Sequence, residues 1–149
     1  MPLPKIPTRR THNPRHMTAF ALIFTLAAIG ISETAYLIGK RIAAKKPVCL
    51  LGEHCEVVLR SSYSRLFLLP NDVLGLLFYL AVVGLTAALV IGIAPVKLWS
   101  TALAVLIGIG SVLSLALTYL QFRVIRAWCF WCLLSACTVW LMGLTLLFA

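Results

Sequence analysis

Acidic residues are nearly absent from this chain. Four Asp and Glu stand against thirteen Lys and Arg, and charged residues of both signs make up only 11% of the sequence. An ordinary soluble domain carries about 25% charged residues, so this balance, beside 62% hydrophobic residues, excludes one. Internal repeats and low-complexity segments are missing too, which removes repeat and linker-like architectures. Short segments of alternating hydrophobicity are not found, and that excludes a membrane barrel. The formal net charge of +9 comes without any groove-reading motif. Its Lys and Arg residues lie in the tails and links between apolar segments, where they meet anionic lipid headgroups. Membrane lipid is therefore an expected partner, and nucleic acid is not.

What the chain does have is uninterrupted apolar length. About 20 apolar residues span a bilayer's hydrocarbon core, and four such segments fit, at residues 17–39, 73–93, 98–120 and 129–149. The first is too long for the core of a signal peptide, and "SETAY" followed by "LIGKR" makes a poor cleavage site. The expected fold is an all-α membrane protein, a bundle of four transmembrane helices. Residues 1–16 hold four prolines and no apolar periodicity, so they are expected to form a mobile basic tail before a membrane domain at 17–149. His12 and His16 in that tail have no third ligand near them, and they read as solvated residues.

A loop at residues 40–72 joins the first two spans and is long enough to suggest function. Its second half, "CEVVLRSSYSRLFLLP", sets Val57, Val58, Leu59, Leu66, Phe67 and Leu68 among polar residues. That pattern predicts a short amphipathic helix lying on the membrane face. "GIAPVKLW" around Pro95 reads as the tight turn between the second and third spans. Gly75 and Gly84 suit close helix packing. Glu33 is an acid inside the first span, a functional candidate by default. It sits ~9 Å below that span's loop end by helical rise, so pairing with Lys40 or another interfacial base is its plainer role.

Orientation follows from parity and charge. An even number of spans places both termini and the Lys97 link on one face, and the 40–72 loop and the 121–128 link on the other. Five basic residues lie on the first face: Lys5, Arg9, Arg10, Arg15 and Lys97. Eight lie on the second, in the loop (Lys40, Arg41, Lys45, Lys46, Arg60, Arg65) and in the link (Arg123, Arg126). The positive-inside rule turns the loop face toward the cytoplasm, whereas disulfide chemistry suits an oxidising, extracytoplasmic face. The expectation leans outward, with the inverted, cytoplasm-facing orientation kept open.

Cys49 and Cys55 occupy the long loop, and Cys129 and Cys132 open the fourth span. Parity puts all four on one side of the membrane. A Cys-x-x-Cys at a helix start places its sulfurs on one helical face, within reach of a disulfide. The partial positive charge of the helix N-terminus favours thiolate, and Arg123 and Arg126 can add to that field. Such a pair is a good attacking and leaving group in exchange. The loop pair can meet an outside thiol protein and then the membrane pair, so the arrangement reads as an electron relay. Two other readings stand beside it: zinc bound by the four cysteines, against the wide Cys-x5-Cys spacing, and two static disulfides. Cys137, deeper in the fourth span and off the Cys129/Cys132 face, reads as a small core residue.

From about residue 18 onward the order of these motifs resembles the vitamin K epoxide reductase family, four-helix membrane enzymes that couple protein thiols to a quinone. Cys49 and Cys55 resemble its loop pair, "VLRSSYS" its Ser-rich segment, "NDVLGLLFY" its second-span entrance, and "WCFWCLLSA" its active-site dithiol and following helix. The resemblance implies that a thioredoxin-like partner is oxidised through Cys49/Cys55, that electrons pass to Cys129, and that Cys132 reduces a membrane quinone such as ubiquinone or menaquinone. It also implies that Ser61 lies near the active-site disulfide and that Asn71 hydrogen-bonds a quinone oxygen. A flat, apolar quinone needs an aromatic cavity with one or two donors. Phe78, Tyr79 and Trp131, with Trp128 and Phe130, can supply walls, and Asn71 and Ser61 donors. Asn71 or Asp72 can equally cap the second span.

The Cys49–Cys55 spacing is narrower than is usual in the family. Ala136 stands where animal members have a Tyr, which points to a general quinone rather than to vitamin K epoxide. Many bacterial members carry a thioredoxin-like domain after the last span, so here the thiol partner is expected to be a separate protein. The bacterial B-type disulfide-forming quinone reductases place their pairs in the reverse order and fit less well. A non-enzymatic membrane scaffold with structural disulfides or zinc-bound cysteines remains the alternative.

Overall fold

The computed structural model describes residues 14–50, 54–66 and 68–149. The expected tail up to residue 13, and Phe67, lie outside them. In chain order the elements are α1 (Pro14–Ile42), α2 (Cys55–Arg60), β1 (Arg65–Leu66), β2 (Leu69–Pro70), α3 (Asn71–Ile91), α4 (Val96–Leu120) and α5 (Phe130–Phe148). α1, α3, α4 and α5 are long and apolar enough to cross a membrane, and they form the expected helical bundle. The 29 residues of α1 rise about 43 Å, more than a bilayer core needs. Its ends therefore project: Pro14, at the first helical position, tolerates the loss of an N–H there, and Lys40 and Arg41 in the last turn complement the helix dipole.

Punctuation residues set the other boundaries. Pro70, in extended conformation, precedes α3, and Gly92 ends it in the left-handed region at φ 78°. α4 follows Pro95 and runs into a wider π-helical turn over Gln121–Ile125, which Arg126 closes at φ 53°. That turn and the extended residue Cys129 bring the chain round to α5.

Close approach of backbones holds α1 against α3. The Tyr79 ring lies so tightly on Gly30 that a Cβ there would overlap it. A Cβ on Gly75 would come within 3.1 Å of Thr34 Cγ2, and near the loop end Arg41 ion-pairs with Asp72. Gly84 faces open space, so Gly30, rather than Gly84, makes the second tight contact of this interface. Between α3 and α4 the Phe78 ring fills the room over Gly110. Small residues at such contacts let helices pack where lipid gives no hydrophobic drive for association. Hydroxyls of Thr25, Ser32, Thr86 and Thr145 donate to carbonyls one turn back, which satisfies them without water. Ile23, Tyr79, Leu103, Ile107 and Met142 form the dry centre, and Leu22, Ile109, Val112 and Leu147 face outward. Cys137 is exposed on this outer surface, not in the core, because α5 turns Ala136, Thr138 and Val139 inward instead.

The loop forms the short helix its pattern predicts, confined to the start of that stretch. α2 is six residues long and buries only Cys55 and Val58. A single 3-10 turn over Ser62–Ser64 and the hairpin of β1 and β2, pairing Arg65 with Pro70, take up the rest. Leu68, at φ 70° and 95% exposed, sits in the hairpin turn and presents an apolar side chain at the bundle's end.

Replacement of Gly30 by Val is expected to destabilise the detergent-solubilised bundle by about 1–3 kcal/mol, the usual cost of overpacking. Thermal unfolding followed by circular dichroism measures it, and an unchanged midpoint would contradict the Gly30–Tyr79 contact.

Candidate active site at the loop end of the bundle

Cys129 stands just before α5, as its N-cap, and is fully buried. Its carbonyl accepts from Leu133 N–H at 3.0 Å, the bond that starts the helix, and its own N–H donates to Gln121 Oε1 at 3.1 Å. Gln121 is itself buried, aimed inward by the π-helical turn. The Cys132 thiol, and behind it the backbone amides of Cys132 and Trp131, hold the Cys129 thiol below its ordinary pKa range against the opposing effect of burial. This is the expected bias of a helix N-terminus toward thiolate, made by amides and a partner thiol. Arg123 lies over the Phe122 ring and Arg126 is exposed, and neither is among the groups that hold this thiol down.

Cys49 and Cys55 form a disulfide with Cα atoms 6.3 Å apart, while Cys129 and Cys132 are free thiols. Cys55 and Cys129 belong to one buried cluster with Val58 and Ala127, and Cys49 and Cys132 pack against it. The two pairs are thus in contact as well as on one face. Two aromatic residues fasten the irregular segment that leads into Cys49. The Val48 N–H donates to the Tyr36 hydroxyl at 3.1 Å, and Trp131 Nε1–H donates to the Val48 carbonyl at 2.8 Å. The Tyr36 and Trp131 rings lie 4.5 Å apart, and the Lys40 ammonium sits over Tyr36. On the far side of the disulfide Glu56 receives Lys46 at 3.1 Å and Arg60 at 3.0 Å, so an ion pair ties residues flanking both loop cysteines. Neither Tyr36 nor Gln121 was an expected site residue. The only sequence signal for Gln121 is a lone amide at the end of an apolar span.

A cavity of about 820 Å³ opens between the loop and the helix ends, and Cys132 is on its wall. This is within the ~300–1,000 Å³ of small-molecule sites. Trp131, Asn71 and Ser61 also line it. The Ser61 hydroxyl donates to the Val58 carbonyl at 2.8 Å, which leaves its oxygen lone pairs to face the cavity. Asn71 is not the helix cap, since that position belongs to Pro70. It donates from Nδ2 to the Tyr63 carbonyl at 3.0 Å, holding the 3-10 turn, and its buried Oδ1 has no partner. Asp72 is not the N-cap residue either, but its Oδ1 accepts the first-turn Val73 N–H at 3.1 Å while Arg41 pairs with its other oxygen. Phe78 and Tyr79 are not on the cavity wall. Tyr79 is fully buried behind it and hydrogen-bonds the Ser135 carbonyl at 3.1 Å and hydroxyl at 2.7 Å. Phe78 lies on Gly110.

Glu33 lines the same cavity and is 4% exposed. Its neighbour is not Lys40, which is turned to Tyr36, but the Thr138 hydroxyl, which lies 3.4 Å from Oε1 and shares its proton with the nearer Leu134 carbonyl at 3.0 Å. Among the described residues, no three of His, Cys, Asp and Glu are grouped so as to hold a metal ion. The cavity wall is mixed: Leu37, Val58, Leu117 and Ala136 are apolar, while six Lys and Arg residues, among them Lys40, Arg41 and Arg65, also line it.

Four membrane helices, a loop disulfide packed on a helix-mouth dithiol, and a cavity touching one of its thiols define a membrane thiol oxidoreductase. Compared with known families, residues 21–147 match the vitamin K epoxide reductase family, and the chain belongs to that family. A search among curated proteins returns no match. Membership makes the chain an integral membrane protein of a family generally associated with quinones.

With Cys49, Cys55 and Cys137 changed to Ala, the reduced protein is expected to show a first thiolate titration below the ordinary ~8.5 of cysteine. Thiolate ultraviolet absorbance against pH measures it. Adding Cys132→Ala removes the main cause and should move the titration upward; an unmoved curve would contradict the pairing of the two thiols.

Proposed function

We propose that the protein oxidises a thioredoxin-like partner and passes the electrons to a membrane quinone, so driving disulfide formation in other proteins. The contact between the two cysteine pairs, with Cys132 on the cavity wall, carries the reading. In this scheme Cys49–Cys55 takes two electrons from a reduced protein dithiol and becomes a dithiol itself. The loop thiols then attack the Cys129–Cys132 disulfide and restore their own bond. Cys129 and Cys132 give up two electrons and two protons to the quinone and close again. The state with the loop pair bonded and the helix pair free is the one that follows the internal exchange. It also fits poorly with a scaffold of two static disulfides.

A lowered Cys129 pKa makes that sulfur the better leaving group when the second loop thiol closes the loop disulfide and releases Cys129 from the mixed disulfide. Asn71, Ser61 and Trp131 would bound the quinone ring, with Phe78 and Tyr79 supporting the wall from behind. The oxidising chemistry favours an extracytoplasmic active face, and the eight-to-five basic count favours the inverted one. A reporter fused to the C-terminus, active only in the cytoplasm, decides between them.

Purified protein with ubiquinone or menaquinone is expected to oxidise a reduced thioredoxin-like protein catalytically. Cys132→Ala should abolish quinone reduction; turnover at the wild-type rate would end the proposal. Cys49→Ala should block oxidation of the protein partner yet spare that of a small permeable dithiol, and equal loss with both would contradict the shuttle role.

A further inference from the structure

What fixes Val48 is its backbone. Its side chain is 63% exposed, yet its N–H donates to the Tyr36 hydroxyl at 3.1 Å and its carbonyl accepts from Trp131 Nε1–H at 2.8 Å. The two rings lie 4.5 Å apart, so α1 and α5 together grip one residue of the loop. Trp131 also borders the cavity, whereas Tyr36 lies outside its wall. Tyr36 thus has its polar group committed to the loop and no place around the quinone.

The residue so held is the neighbour of Cys49, and the two loop cysteines are retained in different ways. Cys55 is 2% exposed, shares a buried cluster with Cys129, and opens α2. Cys49 only packs against that cluster from outside. Before it, turn bonds hold the chain to α1 as far as Lys45, whose N–H donates to the Lys40 carbonyl at 3.0 Å. Four residues beyond Lys45, an unclamped Cys49 can stand about 13 Å away. Reacting atoms must come within ~3–3.5 Å. The Lys46–Glu56 ion pair also ties this segment, but the Lys46 side chain is 82% exposed and salt screens such a pair.

We propose that Tyr36 is a positioning residue for the step that releases Cys129: by holding Val48 it keeps the Cys49 thiol beside the Cys55 sulfur. The inference rests on the relay described above and adds a residue to it. Once the Cys55 sulfur has attacked Cys129 and displaced Cys132, Cys55 and Cys129 are joined. Cys49 then loses its S–H proton to water and its sulfur attacks Cys55 Sγ. The Cys55–Cys129 bond breaks, the Cys49–Cys55 bond forms, and Cys129 leaves as thiolate with the electron pair of the broken bond. One disulfide replaces another, so no outside oxidant or reductant enters. A Cys49 that strays leaves Cys129 bonded to the loop, and the helix pair cannot pass its electrons on.

The test uses the full chain in detergent with a short-chain ubiquinone as oxidant. It compares wild type with Tyr36→Phe, which keeps the ring and removes the hydroxyl. During turnover on a reduced thioredoxin-like protein, acid quenching, alkylation and non-reducing peptide mass spectrometry read the fraction of Cys55 joined to Cys129. That fraction should rise about 3–10-fold in Tyr36→Phe, the range for one lost hydrogen bond. Turnover should slow to match, at low and high salt alike. Turnover on a small dithiol that reduces Cys129–Cys132 directly should be unchanged, which a general loss of structure would not allow. Val48→Pro removes the N–H on the other side of the bond. It should act in the same direction, and combining it with Tyr36→Phe should add nothing further. Equal mixed disulfide in Tyr36→Phe and wild type, equal slowing with both donors, or additive losses in the double variant would overturn the role of Tyr36 while the relay stands. If wild type forms no Cys55–Cys129 bond and does not turn over with the protein donor, both are overturned.

Discussion

A disulfide can pass electrons only to a dithiol it can touch, and in this molecule the thickness of the bilayer arranges that contact. Each span must satisfy its own backbone hydrogen bonds, so the chain crosses as helices. Four crossings return it to its starting side, leaving the loop between the first two spans and the mouth of the fourth on one face. The π-helical turn after α4 and the cap at Cys129 then bring the helix dithiol up against the loop. Everything else at the site depends on that shared corner: the Val48 clamp, the Glu56 ion pairs and the cavity beside Cys132.

The corner is held by polar contacts at the membrane surface and by close packing beneath it. Gly30 and Gly75 let α1 and α3 approach closely enough for Tyr79 to be enclosed. Tyr79 in turn grips Ser135 on α5, one turn below Cys132. A side chain expected at the quinone therefore acts first as a strut between α3 and the helix that carries the dithiol. Rigid helices around a tethered loop suit a relay in which only the loop must respond to an outside partner.

The architecture was readable because its cause is simple. Apolar length gives the spans, and Pro70, Gly92 and Pro95 mark the turns; Cys spacing and parity place the thiols. The details that pattern reading misjudged or left open are those set by tertiary neighbours. Val57, Val58 and Leu59 mark the short loop helix, but the pattern alone leaves open that Cys55 and Val58 are the residues it buries. Cys137 looked internal by its depth in the span, though rotation of α5 turns it outward. Glu33 looked destined for Lys40 along its own helix, yet the aromatic pair at Tyr36 claims the lysine and Thr138 across the bundle is the acid's neighbour. Gln121 gave almost no signal, since an amide becomes visible only when the buried backbone it serves is known.

The central claim is that the loop pair and the helix pair exchange a disulfide directly, and a trapped intermediate tests it most plainly. In a chain carrying Cys132→Ser and Cys137→Ala, Cys129 has no resolving partner. Mild oxidation followed by alkylation and non-reducing peptide mass spectrometry is predicted to recover a disulfide joining Cys129 to Cys49 or Cys55. Recovery of the Cys49–Cys55 bond alone, with Cys129 always alkylated, would contradict the account.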